Sequence, residues 1–600
     1  MSDSDTANDD VDDTVNDDTD DTVNNDTDDT VNNDTDDTVN NDTDDTVNND
    51  TDDIVNDDTD EPSNQSRAFV LGLDGVPWRL LQEWVDDGEL DHFARLIEEG
   101  AAGPLSSTKP ATTPLAWPSI VTGCRPDKHG IYGFRRPQSD YTQKVYTAED
   151  LSRPPLWELL SPAVVGNVPM TYPVIGSDGS AAVTGSESAI VGGMMTPGSA
   201  SPERFVYPSS LREEIDTRIP DYEVGLTWHQ YDGPTAEFLA DLETLVENRR
   251  ELMQLLMERT GWRLFFFVYT APDRLQHLTW DLELLLDHYR VLDEVVGEVM
   301  AYVEDQDATL YVVSDHGFGP VDAHVAPNQV LADEGLFVRQ EPSGISGVLD
   351  DLGVTRERLA GAFRSAGLDP GTVVERLPAT FREGVASRVP GEHALYDMEY
   401  GETVAFVHEL GNVYVNDAER FDEGAVNPDD IPEIKRDLIE AFTNVTDPET
   451  GQPALEVYDG DELFPTDLDS PDLVVEGREG YEVTPELPGD AFAPAGKKVA
   501  SHRPKGILLA WGPDVGSGAT PMDATVYDIA PTLLHGVGEP IPEDVDGRVL
   551  TEIFEPGSTP ASNEPRTRRH ERESVEIEDD SPEDDFEDVE DRLRGLGYLN

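Results

Sequence analysis

The sequence of 600 residues predicts an α/β fold, a layered α/β/α domain with a mostly parallel central sheet and an inserted cap region. Three observations carry this expectation. Short apolar runs recur and end in polar clusters, and stretches of helical patterning separate them. Over 335–480 the texture changes to short helical stretches broken by Gly, Pro and acidic turns.

Residues 1–66 come first. From Val15 to Val55 a valine recurs every eight residues within variations of NNDTDDTV. Eight matches neither a strand nor a coiled-coil period, and one apolar residue in eight cannot build a buried face. A disordered acidic repeat tail is expected. The repeat also lacks the glycine turn and terminal Glu of an EF-hand loop.

Order is expected from Arg67, where the apolar run Ala68-Phe69-Val70-Leu71-Gly72-Leu73 ends at Asp74-Gly75. Such a run suits a strand buried on both faces, with Asp74 where the strand meets its loop. A helix is expected from about Trp78 to Gly100, and further strands at 163–165, 264–269, 309–313 and 507–511. Helical patterning covers 235–260 and 283–303.

Three strands therefore end at candidate chemistry: Leu73 before Asp74, Tyr269 before Asp273, and Val313 before Ser314-Asp315-His316. Ligands of open α/β sheets gather beyond the carboxyl ends of strands, so these clusters can converge. The expected organisation is 67–334 as the first part of the core, 335–480 as the cap, and 481–552 as the second part of the core. An acidic linker with a short C-terminal helix is expected over 553–600.

Charge narrows the partners. The formal net charge is −85. Residues 1–60 hold 25 Asp, which leaves −60 on the other 540 residues. A surface of this kind repels nucleic-acid phosphates and anionic lipid headgroups, so neither a nucleic-acid polymer nor a membrane is an expected partner. At molar salt the Debye length falls to about 3 Å and self-repulsion is screened. With lysine scarce throughout, the composition points to a very salty cytoplasm, a halophilic and archaeal setting. The single Cys124 excludes an internal disulfide framework, and no export signal or membrane-spanning run follows Met1, so a cytoplasmic location is expected.

Four segments could carry chemistry. Thr112-Thr113-Pro114 heads a helix, which as a local feature reads as an N-cap followed by Pro at N1. The same geometry supplies N–H donors and positive potential, which favour a deprotonated hydroxyl and an arriving oxyanion. Asp273-Arg274-Leu275-Gln276-His277 places carboxylate and imidazole four residues apart, on one face of a helix. Ser314-Asp315-His316-Gly317 offers two ligands at a strand end. Ser501-His502-Arg503-Pro504 precedes the strand at 507–511.

Together these segments resemble the alkaline phosphatase superfamily, within it the type I phosphodiesterase and nucleotide pyrophosphatase branch. The motifs are FVLGLDG at 69–75, TPLAWPSIVTG at 113–123 with PDKHGI at 126–131, APDRLQH at 271–277 and VVSDHGF at 312–318. SHRPKGILLAWGPD at 501–514 and DIAPTLLHGVGEPIPEDVDGRVL at 528–550 follow in the family's order.

The resemblance implies an alkaline-phosphatase-like core with two divalent metal ions, commonly Zn2+, with Mn2+ also suited. By motif position Asp74, Thr113, Asp315 and His316 would surround one ion, and Asp273, His277 and His502 the other. Thr113, nine residues before Thr122 of the TG pair, would be the nucleophile. Lys128 and His129 fall outside the ligand set. The residue types agree, since one Cys cannot build a sulfur site whereas imidazole and carboxylate suit zinc or manganese.

The implied function is hydrolysis of phosphate esters, phosphodiester or nucleotide pyrophosphate bonds, through a phospho-threonine intermediate. The implied partner is a small phosphate-ester or nucleotide substrate. One departure stands out: Pro114-Leu115-Ala116 follows Thr113 where the nucleotide pyrophosphatases have a Phe-Pro-Asn-like stretch whose amide helps hold a phosphoryl oxygen. Alternatives are a phosphomonoesterase, a sulfatase or another phosphoryl-transfer member, and an inactive metallohydrolase scaffold used for interactions. The sulfatase pattern of Cys or Ser followed by x-Pro-x-Arg is absent, because the string at Cys124 is CRPDK.

Overall fold

The computed structural model describes residues 66–570 except 177–179, 199, 221, 227–230, 232 and 341–397, together with 586, 589 and 590. The acidic repeat of the N-terminal tail and most of the expected C-terminal helix lie outside the described residues.

Eight strands form the main sheet: β1 Arg67–Leu73, β2 Ala101–Ser106, β3 Ala163–Gly166, β4 Ala189–Val191, β5 Val206–Tyr207, β6 Leu264–Tyr269, β7 Ala308–Val313 and β8 Lys505–Trp511. Their order is β2-β8-β7-β1-β6-β3-β4-β5. The five central strands β7-β1-β6-β3-β4 are parallel. Antiparallel pairings confine themselves to β8 with β7 and β2, and to β5 with β4.

The apolar runs are continuous because both faces of the sheet are covered. Successive side chains of β1 alternate between two cores. Phe69, Leu71 and Leu73 pack with Phe265, Phe267 and Tyr269 of β6 on one side. Ala68 and Val70 pack with Leu264, Phe266 and Val268 on the other. Helices Ala236–Met257 and Leu282–Gln306 cover the first face, while Thr113–Thr122 and Ile529–Gly536 cover the second.

The expected helix from 78 to 100 is two helices, Trp78–Asp86 and Asp91–Glu99. The break falls at Gly88, whose φ of 79° is the left-handed conformation that ends helices. Each half then buries its own apolar stripe, Leu80, Leu81 and Trp84 in the first, Phe93 and Leu96 in the second.

Register sets the site. Leu73 pairs with Tyr269 and Gly72 with Val313, so Asp74 leaves β1 level with Thr270 of the β6 end and Asp315 of the β7 end. The chain continues from β7 into strand Gly317–Val325, which pairs antiparallel with Ala500–Arg503 and sets Phe318 opposite His502. A separate antiparallel sheet combines Ala405–Val407, Asn412–Val415, Leu455–Asp459 and Leu473–Gly477 around its own apolar core. Ordered chain runs on through helix Thr559–Ser562 to strand Thr567–Arg568, which pairs with Ile541–Pro542. Among the described residues no helix is long and apolar enough to cross a membrane.

Candidate metal centre

The seven residues singled out from sequence converge at the carboxyl ends of β1, β6 and β7. Asp74, Thr113, Asp273, Asp315 and His316 are fully buried, and His277 nearly so. Local structure places each one. Asp74 follows β1 with its N–H on the Tyr269 carbonyl at 3.0 Å. Asp273 and His277 lie one turn apart on helix Ala271–Leu278, which starts directly after β6. Asp315 and His316 occupy the tight turn from β7 into the next strand.

Thr113 is the first residue of helix Thr113–Thr122, and Thr112 rather than Thr113 stands at the N-cap. The Thr112 side chain makes no capping bond. The Thr113 N–H has no carbonyl one turn earlier within the helix to receive it, so it points positive potential at the space before the helix.

Thr113 Oγ1 lies 3.3 Å from His316 Nε2. The same nitrogen is 3.2 Å from Asp315 Oδ2 and 3.7 Å from Asp74 Oδ1. Ligand atoms of Asp74, Asp315 and His316 all lie within 4.8 Å of one another, as do those of Asp273, His316 and His502. The His316 and His502 rings stack at 3.9 Å. Asp273 Oδ1 is 3.2 Å from His502 Nε2 and 3.4 Å from His277 Nε2. The outer nitrogens of His277 and His316 lie 3.2 Å and 3.1 Å from the carbonyls of Ala500 and Gly317, which orients both rings.

The electrostatics are those of a site short of positive charge. Burial, then the charges of Asp315 and Asp273, hold the Asp74 carboxyl well above the usual carboxylate range. Burial raises Asp315 as well, against the pull of His316. Burial also opposes ionisation of Asp273, yet His277, His502 and Arg274 outweigh it and hold that carboxyl well below its usual range. The imidazoles of His277 and His502 are pushed down, chiefly by burial, which favours the neutral form a metal requires.

Two oxygens report the same deficit. Asp74 Oδ1 and Asp315 Oδ2 are buried with no hydrogen-bond partner among the described residues. Buried polar atoms are ordinarily paired, and an unpaired carboxylate oxygen carries a large desolvation cost. A donor set of carboxylates, imidazoles and one hydroxyl, with no sulfur, suits hard or borderline divalent cations. The two adjoining groups of ligand atoms give the chain the capacity to bind divalent metal.

Several supporting residues escaped the sequence reading. Trp117 donates from Nε1 to Asp74 Oδ2 at 3.2 Å; it stands one helical turn after Thr113, a spacing that could have revealed it. Gln276 ties the Gly75 carbonyl at 2.9 Å, while the Gly75 N–H donates to Asp315 Oδ1 at 3.1 Å. Glu476, from the separate antiparallel sheet, accepts the Ala111 N–H at 3.0 Å, two residues before Thr113; no local signal announces so distant a contact. Lys128 and His129 do fall outside the ligand groups. Lys128 bonds Asp546 at 2.7 Å, and His129 Nε2 lies 3.1 Å from Ser119 Oγ.

A family model described as type I phosphodiesterase / nucleotide pyrophosphatase matches residues 68–506. No curated protein matches the chain in sequence. Among solved structures, the chain is similar to murine ectonucleotide pyrophosphatase / phosphodiesterase 5, at 12% identity and a TM-score of 0.45, covering 79% of this chain and 96% of that one. An inactive variant of the murine protein in complex with AMP matches at 12% identity and TM-score 0.46, over 82% of this chain and 100% of that one. The human counterpart matches at 12% identity and TM-score 0.45, with the same coverage.

Proposed function

The chain belongs to the type I phosphodiesterase / nucleotide pyrophosphatase family of the alkaline phosphatase superfamily, and from that membership we propose that it hydrolyses phosphate esters, specifically phosphodiester or nucleotide pyrophosphate bonds, with Thr113 as nucleophile. The observation that carries the reading is the position of the Thr113 hydroxyl, buried at a helix N-terminus and 3.3 Å from His316, beside two buried carboxylate oxygens that accept no hydrogen bond among the described residues.

In this reading Asp74, Thr113, Asp315 and His316 would hold one divalent cation, and Asp273, His277 and His502 would hold the other. Zinc is the favoured ion, with manganese also suited to these ligands. Such a pair would supply Lewis acidity that favours deprotonation of a hydroxyl or water beside it. Thr113 Oγ1 attacks phosphorus and expels the alcohol or nucleotide leaving group, forming a phospho-threonine; water then displaces Thr113 and restores the hydroxyl. The helix N-terminus stabilises charge on the phosphoryl oxygens. Burial keeps His277 and His502 neutral, and the contacts of Asp273 with these imidazoles and with Arg274 keep that carboxylate ionised against its own burial. The second ester group distinguishes substrates, and Glu476 shows that the separate antiparallel sheet reaches the segment bearing the nucleophile.

The test is a substrate panel at molar salt: an aryl phosphate diester, an aryl phosphate monoester and an aryl sulfate, each with zinc or manganese restored after chelation. The expected result is fastest turnover of the diester and none before metal is restored. Preference for monoester or sulfate would overturn the diester assignment.

A further inference from the structure

Arg274 sits one residue after Asp273 on helix Ala271–Leu278 and is only 5% exposed, a rare place for a guanidinium without a dedicated partner. Its Nη1 donates to Asp273 Oδ2 at 2.7 Å, and its Nη2 donates to Met194 Sδ at 3.0 Å. A thioether is a weak acceptor, so the strong, charge-assisted contact is the one to Asp273. The carboxylate is thereby divided: Oδ2 rests on the guanidinium, and Oδ1 faces the Nε2 atoms of His277 and His502.

The loop that delivers Met194 is built at a conformational cost. Met195 has a φ of 82° and Met170, whose N–H donates to the Met194 carbonyl at 3.2 Å, has a φ of 62°. Non-glycine residues persist in the left-handed region only where their surroundings over-determine them. Here those surroundings seat an apolar sulfur against the outer side of the guanidinium and leave its inner side to Asp273.

We infer that Arg274 is a positioning residue which holds Asp273 to a one-oxygen contact with the cation shared by His277 and His502. The inference rests on the reading that those three residues hold a cation. Two effects of Arg274 on that cation oppose each other. Its positive charge repels the ion and weakens binding. Its hydrogen bond fixes the carboxylate orientation and strengthens binding, as partners behind a metal ligand generally do, by about 10–100-fold. Burial and the short, directed contact make orientation the larger effect. The guanidinium hydrogen bond goes to Asp273, so the orienting effect is exerted through that carboxylate.

The sign of the change decides the matter. Full-length wild type, Arg274→Met and Arg274→Gln are compared by equilibrium dialysis against zinc buffers at molar salt, and by the visible spectrum of the cobalt(II) form. The expected result is two ions per wild-type chain, and in Arg274→Met one of the two bound about 10–100-fold more weakly. The cobalt bands of that ion alone should shift as Asp273 is freed to bind through both oxygens. Equal or tighter binding in Arg274→Met overturns the inference, since it would mean that charge repulsion was all Arg274 contributed. If Arg274→Met gives no cooperative melt, Arg274→Gln, whose amide ends two bonds short of the guanidinium contact and so loses the Asp273 bond along with the charge, is judged against the same criterion: weaker binding of one ion supports the inference, and unchanged or tighter binding overturns it. A wild-type chain that binds fewer than two ions defeats the two-cation reading itself, and this inference with it.

Discussion

Thr113→Ala is expected to lower turnover by roughly three to six orders of magnitude, the range seen when the attacking group of a covalent mechanism is deleted. Thr113 is fully buried, and its hydroxyl is the group beside His316 Nε2 at the open end of the helix. Alanine keeps the helix, the N–H groups and all the carboxylates and imidazoles, so the metal-free melting temperature should change little, and at saturating zinc both cation positions should stay filled despite the lost hydroxyl. Thr113→Ser should recover part of the rate because it restores the hydroxyl. The measurement is kcat on the fastest ester of the panel alongside metal content. A variant within tenfold of wild type would make Thr113 a packing residue and leave water as the attacking group.

Asp315→Asn should change stability in opposite directions with and without metal. In the metal-free chain Asp315 lies buried beside Asp74 and Asp273, and burial raises its pKa above the ordinary carboxylate value. A carboxyl whose folded pKa exceeds its unfolded value costs stability above the folded pKa; the cost shrinks as pH falls and disappears below the unfolded pKa. Asparagine keeps an oxygen for the Gly75 N–H and removes the charge. The metal-free variant should therefore melt above metal-free wild type at neutral pH, with the gap closing as pH falls through the raised pKa toward the ordinary carboxylate range. Saturating zinc should reverse the order, because ligand binding stabilises only the chain that binds it, and loss of a direct ligand should weaken binding by more than about 100-fold. Melting curves over a pH series, with and without zinc, check both halves. A metal-free variant less stable than wild type at neutral pH would contradict the crowded-carboxylate account.

Much of this was legible in the sequence for identifiable reasons. β1, β6 and β7 are buried on both faces, so they read as unbroken apolar runs, and Asp74, Asp273 and Asp315 stand where those runs stop. Direction was not legible. The run at 507–511 is as apolar as its neighbours, yet β8 lies antiparallel, because hydrophobicity encodes burial and not strand polarity. The break at Gly88 was visible as a residue but lost within a continuous amphipathic pattern. At the site, spacing within a motif exposed Asp273 with His277, whereas Arg274 was read only as part of the string, since its partner Met194 lies 80 residues away. Trp117 had a local cue in its spacing from Thr113, whereas Glu476 had none: an acceptor for Ala111 from a separate sheet is a contact made by the fold, with no signature in local patterning.

The most direct test of the central claim, a covalent Thr113 intermediate in phosphate-ester hydrolysis, is the stereochemical course at phosphorus. A diester made chiral at phosphorus with isotopic oxygen and sulfur would be hydrolysed in labelled water, and the product configuration read by phosphorus NMR. Attack by Thr113 followed by attack of water gives two successive in-line inversions, so the account predicts net retention. Net inversion would mean that water displaces the leaving group in a single step and would contradict the assignment of Thr113 as nucleophile.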